Sequence, residues 1–126
     1  MKTKLLTICL LLFTSQVFAA WHKVDENNEG TEFYLDFDKM RKHSGYIYIW
    51  SVDNYLKPGK YGIISEKIYN EIDCKKLRVR FLSGTFHTKP MGEEPATIHE
   101  MRNLNQWISY NPGTSGETLL KAACSK

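Results

Sequence analysis

The sequence is poor in cysteine. Three occur in 126 residues, and Cys9 lies inside an apolar leader-like segment. The remaining two, Cys74 and Cys124, cannot form a structural zinc site without two further ligands. His22, His43, His87 and His99 show no metal-ligand spacing with either of them. A glycine-rich phosphate loop is missing, as is G-x-S-x-G or a comparable set of nucleophile, base and orienting group. No apolar run reaches the roughly 18 to 20 residues needed to cross a bilayer. A strong excess of one charge is missing too. The formal net charge of +3 includes Lys2 and Lys4, and without them fifteen basic residues face fourteen acidic ones. Global charge therefore gives no argument for nucleic acid or an anionic membrane. These absences argue against metal, cofactor and catalytic readings, and His87 reads as a strand-end histidine rather than a general base.

The first twenty residues have the layout of a secretory signal. Lys2 and Lys4 precede the apolar stretch from Leu5 to Phe13, and Val17-Phe18-Ala19 places small or aliphatic residues at −3 and −1 of a cut after Ala19. Cys9 follows Ile8 inside the apolar stretch, so the segment is not a lipoprotein signal. The expected division is a removed leader over 1–19 and a single exported domain over 20–126, of 107 residues, periplasmic or secreted. In such a compartment a lone cysteine pair reads as a structural disulfide. A Cys74–Cys124 bridge closes a loop of about 50 residues, for which the chain-entropy model gives on the order of 4 kcal/mol.

Between the ends, strand signals alternate with turns. Thr31 to Phe37 carries Phe33, Leu35 and Phe37 on one face, and Asp38–Lys42 suits a helical turn with Asp36 and Asp38 as local capping groups. Tyr46 to Val52 is aromatic and β-branched, the strongest strand in the chain. Tyr61 to Cys74 reads as one long or bent strand. Leu77 to Leu82 alternates, with Leu77, Val79 and Phe81 inward and Arg78 and Arg80 outward, and Trp107–Tyr110 suits a short terminal strand. Thr114-Ser115-Gly116-Glu117 has the capping-box pattern, followed by Leu119, Leu120, Ala123 and Cys124 on one side of a short helix. The predicted fold is α+β: an antiparallel sheet of five to six strands, with the C-terminal helix packed on one face and tethered by the disulfide.

Trp21 and Val24, Gly30-Thr31, Tyr34-Leu35-Asp36, Trp50, Asp73-Cys74 followed by Arg78 and Arg80, and the run from Pro112 to Leu120 leading to Cys124 resemble the surface-adhesin protein E-like domain family. The resemblance covers essentially all of 20–126. It implies the same sheet-and-helix fold. It also implies a non-catalytic protein that binds host extracellular-matrix or serum proteins, is displayed at the cell surface and is able to dimerise. The family's namesake is a lipoprotein, and this chain departs from that pattern. A periplasmic structural or envelope-maintenance protein is the alternative.

Two surface features are candidates for binding. Lys75, Lys76, Arg78 and Arg80 put four positive charges within six residues, a candidate patch for an acidic host protein, a glycosaminoglycan or a lipid head group; the alternative is a solvated turn and strand face. Tyr46, Tyr48 and Trp50 share a strand face opposite Ile47 and Ile49. Core packing under the helix is the favoured reading of these aromatics, with a binding groove or dimer surface as alternatives.

Overall fold

The computed structural model describes residues 20–97 and 99–126; the predicted leader over 1–19 lies outside the described residues. Seven strands form one antiparallel sheet: β1 Trp21–Glu26, β2 Glu32–Asp36, β3 Arg41–His43, β4 Tyr46–Asn54, β5 Ser65–Asp73, β6 Arg78–His87 and β7 Trp107–Ile108. The order is β1-β2-β4-β5-β6-β7, and β3 pairs with the Tyr46 end of β4 while β2 pairs with its other end. The helix α1, Ser115–Cys124, closes the chain. Cys74 and Cys124 are bonded, so the last residue of α1 is fixed to the residue that follows β5.

β4 and β5 pair without interruption from Tyr46↔Asp73 to Asn54↔Ser65, which makes them the centre of the sheet. One face of this pair meets the helix and is apolar at its Ile47–Ile72 end. Leu35, Ile47, Ile49, Ile72 and Val79 pack against Leu119, Leu120 and Ala123, and all eight are buried. Burial of each larger side chain contributes about 1.5–3 kcal/mol. Thr114 caps α1: its Oγ1 accepts from the Glu117 backbone N–H at 3.3 Å. The Glu117 carboxylate reaches back to the N–H of Gly113, one residue further than the usual capping box.

Several boundaries differ from the sequence expectation. Asp38–Lys42 is not a helical turn. A 3₁₀ turn spans only Phe37–Lys39, with the Asp36 carboxylate accepting from the N–H groups of Asp38 and Lys39, and Arg41–His43 continues as β3. The expected Tyr61–Cys74 strand starts only at Ser65, because Lys60–Gly62 forms a 3₁₀ turn with Tyr61 at φ 61°. β6 runs on to His87 through a bulge: Tyr69 pairs with Ser83 and Asn70 with Phe81, so Leu82 has no partner. The bulge shifts the alternation by one residue. It brings Phe86 to the helix side of the sheet, the side that also carries Phe81.

Gly116 shows where packing decides residue choice. A Cβ there would lie 2.4 to 2.6 Å from three ring atoms of Tyr110. Alanine is better than glycine in a helix by about 1 kcal/mol, but displacing a packed ring costs ~1–3 kcal/mol. Gly116→Ala is therefore expected to lower the thermal midpoint by about 5 °C. Adding Tyr110→Ala should reverse the sign and leave the Gly116→Ala change stabilising. A stabilising Gly116→Ala in the wild-type background would show that the Tyr110 contact is not tight.

Candidate interaction surface

The sheet has a second face, turned away from α1. Strand alternation places Tyr46, Tyr48 and Trp50 of β4 there, because Ile47 and Ile49 point to the helix. This corrects the expectation that these aromatics pack under the helix: two faces of one strand cannot both meet α1, and the isoleucines occupy that side. Directly across the sheet lie Asp73, Glu71 and Tyr69 of β5, then Arg78, Arg80 and Ser83 of β6. β7 adds Trp107 opposite Arg80. One end of the face is covered by the Pro90–Gly92 turn, held by Ser65, whose hydroxyl donates to the Lys89 carbonyl and accepts from the Gly92 N–H. The end carrying Tyr46, Tyr48 and Trp50 remains only half-buried.

The side chains on this face form layers. Trp50 and Tyr69 have ring centroids 4.8 Å apart, and the Lys67 ammonium lies 4.9 Å from the Trp50 ring centre. Tyr46 stacks on Trp107 with centroids 6.0 Å apart. The guanidinium groups of Arg78 and Arg80 lie 4.3 and 4.7 Å from the Trp107 ring centre. Beneath them are two carboxylates, each only 7% exposed. Asp73 Oδ2 accepts from Arg78 Nε at 3.1 Å. Glu71 accepts from Arg80 through one oxygen and from the Tyr48 hydroxyl through the other, the latter at 2.7 Å.

These contacts shift the titration of two groups. Burial works against ionising Asp73, but the backbone N–H of Lys76 and the Arg78 guanidinium outweigh it and hold the carboxyl below the usual carboxylate range. The hydrogen bond to Glu71, with burial behind it, raises Tyr48 above an ordinary tyrosine.

The structure divides the four cations picked out in the sequence. Lys75 and Lys76 are exposed on the β5–β6 turn, where the Lys76 N–H is bound by Asp73. Arg78 and Arg80 point to the outer sheet face, are ion-paired and lie over the Trp107 ring. Sequence reasoning missed Glu71, Tyr69, Lys67 and Trp107 as members of this surface. The signal was the two-residue alternation Lys67-Tyr69-Glu71-Asp73 within the stretch read only as one long or bent strand.

His87 ends β6 and is buried, with Thr85 Oγ1 on Nε2 and the Glu93 carbonyl on Nδ1. Among the described residues, no group of three His, Cys, Asp or Glu side chains could hold a metal ion, and no helix is long and apolar enough to cross a membrane.

The sequence model of the surface-adhesin protein E family matches residues 21–125, from the first residue of β1 to the cap of α1. The chain belongs to that family. Crystal form II of Haemophilus influenzae protein E superimposes with a TM-score of 0.62 at 15% identity, covering 86% of this chain and 90% of that chain. Protein E from non-typeable Haemophilus influenzae gives a TM-score of 0.60 at 15% identity, covering 88% and 79%. At this identity the superposition shows a shared protein E fold. No curated protein matches the sequence. Within this surface-adhesin fold, the layered face lies on the side of the sheet that the helix leaves open.

Proposed function

We propose that this member of the protein E family is an exported, non-catalytic interaction domain that docks a protein partner on the outer sheet face, with Lys75 and Lys76 at its rim. The observation that carries the reading is the ordered set of Trp50, Tyr69, Trp107 and the two arginines. Trp, Tyr and Arg dominate binding hot spots, and here their geometry is set before any partner arrives, which lowers the ordering cost of association. The lysines add a steering charge for an acidic partner. The family points to host extracellular-matrix and serum proteins. The leader without a lipobox cysteine supports the second reading, in which the partner is a protein of the cell envelope.

Two experiments test this. Surface proteolysis of intact producer cells, combined with fractionation, should degrade the protein if it is displayed. Protection in the periplasmic fraction would sink the adhesin reading and leave the envelope reading. Binding is then measured against a panel of matrix and serum proteins, or envelope proteins, according to that result. Trp107→Ala is expected to weaken binding at least tenfold, as for a hot-spot residue. Lys75→Glu with Lys76→Glu should mainly slow association, and the loss should shrink as salt rises. Unchanged affinity in both variants would move the site off this face.

A further inference from the structure

A second site lies on the opposite side of the sheet. Between α1 and the sheet is a cavity of about 190 Å³, walled by Phe33, Phe81, Tyr110, Leu119 and Leu120. Its polar groups come from the sheet floor: Ser51, Asp53 and Asn70. Asn70 is only 2% exposed. Its amide nitrogen donates towards the Ile49 and Ile68 carbonyls and Ser51 Oγ, which fixes the orientation of the amide. Oδ1 has no hydrogen-bond donor among the described residues, and Asn70 lines the cavity. Asp53 likewise has neither a hydrogen-bond nor an ion-pair partner among the described residues, and it faces Glu66 across the β4–β5 pair. Glu66 accepts from the Tyr55 hydroxyl and lines an adjoining cleft of about 740 Å³, which shares Ile68 and Phe81 with the inner cavity.

The inner cavity thus offers a carboxylate, an amide oxygen and the hydroxyls of Ser51 and Tyr110, with no cation among its lining residues, within aromatic walls. Two carboxylates on neighbouring strands without a cation between them repel each other. The missing partner is a hydrogen-bond donor with positive charge and an apolar body. We propose that this cavity binds a small organic ammonium ion, with a protonated primary amine on Asp53 and Asn70 Oδ1 and an apolar group among Phe33, Phe81 and Tyr110. The aromatic walls suit a cation by their ring faces, and the volume, below that of a drug-sized site, limits the ligand to about the size of a phenethylamine. Longer amines extend past Glu66 into the outer cleft.

The charge state of Asp53 sets a pH signature. Burial, and then the Glu66 carboxylate, push Asp53 up to about 7. Tyr110, pushed up to about 12 by burial and by Asp53, stays neutral through the working range, and Tyr55 is likewise raised, by burial and by Glu66. The outer cleft contributes Lys60, His99, Glu100 and Arg102. Asp53 is charged at pH 8 and neutral at pH 5, so an ammonium ligand binds more tightly as pH rises across that interval.

The test is a two-dimensional amide NMR titration of the oxidised domain over 20–126 with phenethylammonium chloride. Phenethyl alcohol and phenylacetate serve as shape-matched controls. At pH 8 saturable shifts are expected at the cavity residues, with both controls about tenfold weaker or more, the worth of a charge-assisted hydrogen bond. Affinity should fall several-fold at pH 5. Asp53→Asn should remove binding and its pH dependence while keeping the thermal midpoint at pH 8 equal or higher, since a carboxyl with a raised pKa destabilises the fold above its unfolded value. Shifts that do not saturate, shifts mapping outside the cavity, equal binding of the alcohol, or an Asp53→Asn protein that binds like wild type would each overturn the proposal. Should Asp53→Asn not fold, the pH dependence and the two controls decide the matter in the wild-type protein.

Discussion

Replacing Cys74 and Cys124 together by serine is expected to lower the thermal midpoint of the oxidised domain by roughly 15–25 °C. The bridge spans a sequence separation of 50 residues. Closing such a loop in the unfolded chain is worth about 4 kcal/mol, a large share of the ~5–15 kcal/mol that stabilises a domain of this size. The loss should also be local. α1 has ten residues, too few to stand alone in water, and it depends on Leu119, Leu120 and Ala123 meeting the sheet. Without the bond its last turn is free to lift from the end of β5. Hydrogen exchange of the double variant should therefore show α1 amides losing protection before those of β4 and β5. An unchanged melting curve would show that the apolar contacts hold the helix unaided. Uniform loss of protection would place the effect wholly in the unfolded chain.

The sheet, the terminal helix and the bridge were legible in the sequence because each leaves a local mark. Thr114 and Glu117 announce the start of α1, and the alternation around Ile47 and Ile49 announces the central strand. What was not legible was long-range. Tyr46, Tyr48 and Trp50 are as apolar as a core face, and nothing local says which side of β4 the helix covers; Leu119 and Leu120 decide it by packing on the isoleucines. Likewise Arg78 and Arg80 read as free cations until the β5–β6 register sets Asp73 and Glu71 against them. The bulge at Leu82 has no composition signal at all, yet it determines that Phe86 joins the helix-side cleft.

The two faces consequently do different work. The helix side is apolar at its Ile47–Ile72 end and, further along, encloses a cavity whose lining holds a carboxylate and no cation. The outer side presents aromatics and guanidiniums whose charges are already answered from below by Asp73 and Glu71. A surface with its ion pairs satisfied internally meets a partner at low desolvation cost, since each guanidinium keeps its counter-ion when water leaves. In the proposed docking, specific recognition falls to ring stacking and to the exposed lysines of the β5–β6 turn.

Glu71 is the residue on which this arrangement turns, and Glu71→Ala is expected to cost about 2–3 kcal/mol, a drop of roughly 10–20 °C. The substitution removes the counter-ion of Arg80 and the acceptor of the Tyr48 hydroxyl at once. Arg80 Nε is already buried without a partner among the described residues, so the guanidinium cannot be satisfied in place. Because the Arg80 side chain is 33% exposed, it escapes to water, which keeps the loss below that of a fully buried orphan charge. Its departure unstacks Trp107, so the variant should also lose partner binding. Two controls separate charge from packing. Glu71→Leu combined with Arg80→Met removes both charges at similar volume and should recover most of the stability, as buried pairs often do, while leaving Trp107 without its guanidinium layer. Ultraviolet titration should show one tyrosine fewer with a raised pKa in Glu71→Ala, since the hydrogen bond to Glu71 is the main cause of the Tyr48 shift. A variant that melts like wild type and keeps that tyrosine raised would mean that the Glu71 carboxylate holds neither partner in solution.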